Sequence, residues 1–188
     1  ITYGRFSEDS SLTCRFVVPQ RGKSCLIILR DWKDPDAWQR FTASPPKAVR
    51  QAIDQGNGII VPRLFGQRSD EVVQAYRTAI EDSYLFTSYN RTAHQHQAGD
   101  MVTTVRLAET EMKIPLKRLV IVADRDVGLI AFAAWAFLCS RTAIGPFVGD
   151  LRGMDLTDPA NWVKHAYLPL ALRAGGVTDL ARLCKGRH

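Results

Sequence analysis

Apolar runs alternate along the chain with stretches whose apolar residues recur at helical spacing. Residues 24–30 and 119–123 are apolar almost throughout, which is typical of strands buried on both faces of a parallel sheet. Residues 12–19 alternate between apolar and polar positions and predict an edge strand. Shorter apolar runs predict further strands at residues 58–62 and 143–148.

Helices are predicted between these strands. Ser44 can cap a helix over residues 46–55, which Gly56 closes. The other predicted helices span residues 69–83, 98–112, 128–138, a short stretch from Asp158, and 178–184. The sequence therefore predicts an α/β fold: a three-layer sandwich with a mostly parallel sheet and helices on both faces. We interpret residues 1–188 as a single domain.

Composition changes this picture little. The net charge is +6, but the basic residues are scattered, so we expect no nucleic-acid partner. The longest apolar run, residues 128–138, is too short to span a bilayer, and we expect no membrane partner. The four cysteines form no CxxC pair, which argues against a zinc site. Cys14 and Cys25 fall on neighbouring predicted strands and could meet.

Residues 119–138 carry the pattern that bears most on chemistry. A buried strand ends, five residues turn, and an apolar helix begins, as in the nucleophile elbow G-x-S-x-G. In the best register Asp124 takes the first glycine position, Asp126 the nucleophile position and Gly128 the last. Elbow residues usually have a positive φ, which aspartate tolerates better than most residues. The simpler interpretation is that Asp126 caps the following helix.

Over residues 12–184 the chain resembles the α/β-hydrolase superfamily, in particular the acetyl xylan esterase-like proteins of large multidomain bacterial hydrolases. Five blocks carry the resemblance, in this order: SCLIILR, IIVPRLFGQ, SYNRTAHQHQAGDMVTTVRLAE, KRLVIVADRDVGLIAFAAWAF and YLPLALRAGGVTDLARL. The resemblance implies an α/β-hydrolase-like domain of a longer, exported bacterial chain. It also implies an acetylated sugar or other small ester as ligand, other domains as partners, and no cofactor.

The chain departs from this family pattern at the groups that cleave esters. Such relatives use serine, histidine and an acidic residue, but Asp126 replaces the serine. None of the four histidines, His94, His96, His165 and His188, follows a predicted strand in the expected place. The resemblance implies two further strands beyond the chain that would bring the acid and the histidine. Our first hypothesis is a catalytically degenerate domain, and our second is a hydrolase completed by residues outside this chain.

A third hypothesis comes from the same segment. A hydrophobic strand followed by D-x-D also fits phosphatases of the haloacid dehalogenase superfamily, in which one aspartate attacks phosphorus and magnesium bridges the pair. Asp124 and Asp126 would be that pair, and Asp150 a third metal ligand. Against this, the motif normally opens its domain and here lies two-thirds along the chain. Solvated or helix-capping acids are the simpler interpretation.

Candidate substrate-binding residues follow the predicted strands, because ligands of such sheets bind beyond the carboxyl ends of the strands. Asp31 and Trp32 follow residues 24–30 and could line a sugar-binding rim. A loop anchored by buried tryptophans is an equally simple interpretation. Arg63 and Gln67 follow residues 58–62 and could hold a substrate carboxylate or phosphate. A salt bridge within the turn is the alternative.

Overall fold

The structure is a computed structural model that describes residues 2–5, 8–32, 34–65, 92–151, 179 and 182. Its strands are β1 (Thr2–Arg5), β2 (Glu8–Val17), β3 (Cys25–Leu29), β4 (Gly58–Arg63), β5 (Leu119–Ala123) and β6 (Phe147–Gly149). Its helices of more than one turn are α1 (Pro35–Ala43), α2 (Lys47–Asp54), α3 (Ala93–Thr110) and α4 (Arg125–Cys139). A 3₁₀ turn, Leu116–Arg118, leads into β5.

The described strands form one mixed sheet in the order β1-β2-β4-β3-β5-β6. β4, β3, β5 and β6 run parallel to one another, whereas β1 and β2 are antiparallel to their neighbours. The parallel strands are the short apolar runs that the sequence predicts to be buried. Each connection from one of them to the next contains at least one helix, as is usual for parallel strands. The predicted α/β sandwich is therefore confirmed.

Two hydrophobic cores lie on opposite faces of the sheet, as the alternation of side chains along β3 requires. Ile27 and Leu29 point into a core shared with α3 and α4. Ile28 points the other way, into a core shared with α1 and α2 that contains Trp32 and Trp38. Burial of each such aliphatic side chain contributes about 1.5–3 kcal/mol, so both helical layers hold the sheet in place.

Strand β2 is not the edge strand that its alternation predicts. It pairs with β4 on one side, where Thr13 faces Arg63, and with β1 on the other. The outer strand is β1, which has only four residues. Its sequence pattern is too short to predict a strand. Cys14 and Cys25 consequently do not meet, because β4 lies between their strands, and both thiols are buried.

Residues 31–44, where the sequence analysis predicts no helix, contain α1. The carboxylate of Asp34 accepts a hydrogen bond of 2.8 Å from the Asp36 N–H, and Pro35 opens the helix where its missing N–H is not needed. Ser44 ends α1 by donating its N–H to the Arg40 carbonyl. It therefore does not cap α2, whose cap position is Pro46 without a side-chain hydrogen bond.

Helix α3 begins five residues earlier than predicted, because a capping box precedes it. The Thr92 hydroxyl accepts from the Gln95 N–H at 3.1 Å, and the Gln95 amide oxygen accepts from the Thr92 N–H at 2.7 Å. The predicted buried stripe is present in Met101, Val105 and Ala108.

The remaining predicted helices, residues 69–83 and the one beginning at Asp158, lie outside the described residues, as does Cys184. Two described residues of the predicted last helix, Asp179 and Arg182, are helical and form an ion pair of 2.6 Å. None of the helices in the described part of the chain has the length and apolar character needed to cross a membrane.

Candidate functional site

The ends of three parallel strands meet at one edge of the sheet, which we call the carboxyl edge. Leu29 of β3 lies beside Ala123 of β5, and Ala123 lies beside Gly149 of β6. The backbone continues this pairing one residue further, because the Asp124 N–H donates to the Leu29 carbonyl at 2.9 Å. The Asp150 N–H likewise donates to the Ala123 carbonyl at 3.3 Å. The fold thus brings residues predicted from separate segments to the position where open α/β sheets bind ligands.

An ion pair joins two of these segments. The Nε atom of Arg30 lies 2.8 Å from Oδ2 of Asp124, and both side chains are a little over two-fifths exposed. The Arg30 guanidinium also lies over the rings of Trp32 and Phe41, at 5.5 Å and 5.9 Å from their centroids. A half-exposed pair of this kind contributes at most about 1 kcal/mol. The main effect of the pair is to fix a position. It holds the carboxylate of Asp124, at the first glycine position of the elbow pattern, beside the end of β3.

Asp126 lies in the first turn of α4, as the second residue of the helix. Its backbone is helical, and Lys113 is the one non-glycine residue of the described chain with a positive φ. The left-handed backbone expected of an elbow is therefore not adopted at Asp126, because α4 begins directly after Asp124. The residue that precedes the helix is thus Asp124, whereas the sequence suggested Asp126 as its cap. A negative charge in the first turn is still favoured by the helix dipole.

Gly128 permits α4 to approach the chain that leaves β6. A Cβ atom at this position would lie 3.0 Å from Cδ2 of Leu151 and 3.2 Å from the carbonyl oxygen of Asp150. Both distances are tighter than ordinary van der Waals contacts. The last glycine of the elbow pattern therefore has a packing reason that is independent of catalysis.

The end of β4 is held by three side chains of α3. The Phe65 N–H donates to Oδ2 of Asp100 at 2.7 Å, and Nε2 of Gln97 donates to the Phe65 carbonyl at 3.1 Å. The Phe65 ring stacks on the imidazole of His96, with 4.6 Å between centroids. Asp100 is 2% exposed.

Sequence reasoning missed the role of Asp100. The one available signal is a carboxylate placed beside the buried stripe of a predicted helix, next to Met101. Buried carboxylates are rare unless they are hydrogen-bonded, so such a residue indicates a specific contact. The identity of its partner, a backbone N–H beyond the end of β4, could not be read from the chain.

The described substrate-binding candidates lie at the ends of two neighbouring strands, β3 and β4. Arg63 is the last residue of β4 and is half-buried, and Asp31 is a half-buried residue directly after Arg30. Gln67 lies outside the described residues. Trp32 is only 5% exposed and packs in the core beside α1, so its ring does not form an open rim for a sugar.

The acidic residues of the phosphatase hypothesis also follow β5 and β6. Within the described residues, no group of three histidine, cysteine or acidic side chains could hold a metal ion. The Asp124 carboxylate faces a guanidinium, and the backbone of Asp150 reaches the same edge through its bond to Ala123. The side chain of Asp126, the remaining member of the proposed set, lies outside what the structure describes, so the magnesium hypothesis stays a prediction.

Comparison with solved structures finds proteins of similar architecture that are described as esterases. No protein-family model matches the chain, and no curated protein matches it. A CE15 glucuronoyl esterase from Teredinibacter turnerae T7901 is similar in structure, with a TM-score of 0.52 and 14% identity over 99% of this chain and 53% of that one. A bacterial heroin esterase has a TM-score of 0.48 and 14% identity over 80% and 44% of the two chains.

A structure from a study of two esterases of the fungus Rhizomucor miehei has a TM-score of 0.48 and 11% identity, over 96% of this chain and 51% of that one. The chain thus spans about half the length of these structures. At such identities the likeness concerns the fold alone, and it rests on the glucuronoyl esterase. The chain has an α/β-hydrolase-type fold.

Proposed function

We propose that this chain is an α/β-hydrolase-type domain of esterase descent that binds a small ester, such as an acetylated sugar, and is catalytically degenerate, so that it does not cleave the ester. One observation carries the proposal. The junction between β5 and α4 reads Asp124-Arg125-Asp126-Val127-Gly128, so no hydroxyl stands where an acyl-transfer enzyme needs its nucleophile.

The surroundings of this junction support the same conclusion. Acyl transfer by serine requires an imidazole within hydrogen-bond reach of the hydroxyl and a carboxylate that orients the ring. The two described histidines, His94 and His96, lie on α3, where His96 is stacked against Phe65. Asp124, the residue that opens the junction, is paired with Arg30. Binding at the carboxyl edge does not depend on any of the missing groups.

Hydrolysis of 4-nitrophenyl acetate and labelling by a fluorophosphonate probe test the proposal. We expect wild-type protein to release nitrophenol no faster than Asp126→Asn and to remain unlabelled. Asp150→Asn is the matched control, since it removes a carboxylate from the same edge. The opposite result would be turnover by the wild-type protein that is lost in Asp126→Asn but kept in Asp150→Asn. It would identify Asp126 as a carboxylate nucleophile, and the proposal would be wrong.

Two further assays address the other hypotheses. Acetyl-ester turnover by a longer version of the chain, absent from residues 1–188 alone, would indicate a hydrolase completed by residues outside this chain. Magnesium-dependent cleavage of 4-nitrophenyl phosphate that Asp124→Asn abolishes would indicate a phosphatase. We expect neither activity.

A further inference from the structure

The last residues of strand β2 have a neighbouring strand on one side only. β1 pairs with β2 as far as Thr2, which lies opposite Thr13, whereas β4 runs alongside β2 to its last residue, Val17. Within the described part of the chain, no strand lies on the outer side of residues 15–17. Residues 15–18 form what we call the open side of β2. All four are exposed, the last three at 36%, 40% and 60%: Arg15, Phe16, Val17 and Val18.

The backbone of Phe16 directs its hydrogen-bonding groups to this open side. Along a strand, successive residues direct these groups alternately to the two neighbouring strands. The Gly58 N–H donates to the Ser24 carbonyl at 2.9 Å, on the β3 side, so the groups of the next residue, Ile59, face β2 opposite Val17. By the same alternation the N–H and C=O of Phe16 point away from β4. The described residues offer these two groups no hydrogen-bond partner, and such an edge can pair with a further strand.

The open side of β2 presents different side chains on the two faces of the sheet. Phe16 lies on the same face as Leu12, which belongs to the core shared with α3 and α4. Arg15 lies on the opposite face, where its guanidinium is 5.8 Å from the centroid of the Trp38 ring. A strand added here would therefore meet an aromatic ring on one face and a cation on the other.

Positive charge prevails around the open side of β2. Arg21 and Lys23 lie in the turn that follows β2, and like Arg15 they are exposed and form no ion pair with a described carboxylate. A backbone hydrogen bond of 2.8 Å ties this turn to residues 54–57, which contribute a single carboxylate. A second copy of the chain, with its net charge of +6, would bring like charge to this surface. Charge complementarity therefore favours an acidic partner.

We propose that the open side of β2 binds an extended peptide segment of a partner protein, in which apolar and acidic residues alternate. The segment adds as a strand antiparallel to β2, the direction in which β1 already pairs. Its central apolar residue exchanges backbone hydrogen bonds with Phe16 and packs beside the Phe16 ring. The acidic residues on either side of it then lie on the face of Arg15. This interaction is independent of ester binding at the carboxyl edge.

The test is fluorescence anisotropy with the fluorescein-labelled hexapeptide Val-Glu-Val-Glu-Val-Glu. N-methylation of its middle valine blocks an amide that points to β2, whereas N-methylation of the glutamate beside it blocks one that points to solvent. We expect the parent peptide to bind saturably and the methylated valine to weaken binding about tenfold, the effect of losing one hydrogen bond. The methylated glutamate should weaken binding by about twofold at most. A matched peptide with lysine in place of glutamate should bind at least about tenfold more weakly, and salt should weaken binding of the parent peptide.

Two variants locate the site on the protein. Phe16→Pro removes the outward N–H, which an edge strand tolerates, and Phe16→Thr removes the same ring but keeps that N–H. We expect Phe16→Pro to bind the parent peptide about tenfold more weakly than Phe16→Thr.

Four outcomes would overturn this inference. The two methylated peptides could bind equally well, the lysine peptide could bind as tightly as the parent, or the parent could fail to bind at millimolar concentration. In the fourth, sedimentation would show a dimer that Phe16→Pro dissociates, because the open side of β2 would then hold a second copy. The peptide comparisons use wild-type protein, so they decide the question even if Phe16→Pro fails to fold.

Discussion

The contact between Asp100 and Phe65 gives the sharpest test of how the carboxyl edge is held. The Asp100 side chain is buried in α3 and accepts a hydrogen bond of 2.7 Å from the Phe65 N–H, just beyond the end of β4. Asp100→Ala removes the acceptor and leaves this backbone donor unsatisfied in the protein interior. The neighbouring hydroxyl of Thr104 is unaffected, because it donates to the backbone carbonyl of residue 100.

The magnitude follows from these contacts. A hydrogen bond to a charged group contributes about 1.5–3 kcal/mol, and an orphaned buried donor costs about 1–3 kcal/mol. The better helix propensity of alanine offsets about 0.5 kcal/mol of this loss of stability. We therefore expect Asp100→Ala to lower the free energy of unfolding by about 3 kcal/mol. In a chain of this length this corresponds to a fall in Tm of roughly 6–12 °C.

Urea and thermal unfolding followed by circular dichroism measure this loss. Asp100→Asn keeps an acceptor oxygen without the charge and should lose about half as much as Asp100→Ala. Glu109→Gln is the matched control on the same helix, since its exposed pair with Arg106 contributes at most about 0.5 kcal/mol. If Asp100→Ala changed stability no more than Glu109→Gln, the buried contact would not hold the end of β4, and our reasoning would be refuted.

Further predictions concern two glycines and a thiol. At Gly145 an added Cβ would lie 1.9 Å from a backbone oxygen of β5. Gly145→Ala should therefore lower the free energy of unfolding, measured in urea, by about 3 kcal/mol. Gly99→Ala, in an open helical position, should raise stability by about 0.5–1 kcal/mol, and equal effects at the two sites would contradict the packing. Burial raises the pKa of the Cys25 thiol from 9.0 to about 12. The unfolded chain therefore loses this proton first, so stability should fall between about pH 9 and 12, and less steeply in Cys25→Ala.

The sequence alone determined the elements whose signal is local. Strand β5 has the boundaries that its apolar run predicts, and β3 lies within its predicted run. The stripe of Met101, Val105 and Ala108 identified the buried side of α3. These elements could be predicted because periodicity and apolar content are properties of a few consecutive residues. Helix starts were less predictable, since the capping box at Thr92 extends α3 beyond its apolar pattern.

Tertiary structure alone decided which distant residues share an environment. The pairing of β3 with β5 brings Arg30 to Asp124, although 93 positions separate them in the sequence numbering. The packing of α1 buries Trp32 and leaves its N–H without an acceptor, where the sequence left an exposed rim and a buried anchor equally open. The composition of a segment does not encode these outcomes, because each depends on strand order and on helices from elsewhere in the chain. Hydrogen bonds and ion pairs depend on distances of about 3 Å, which only the folded arrangement sets.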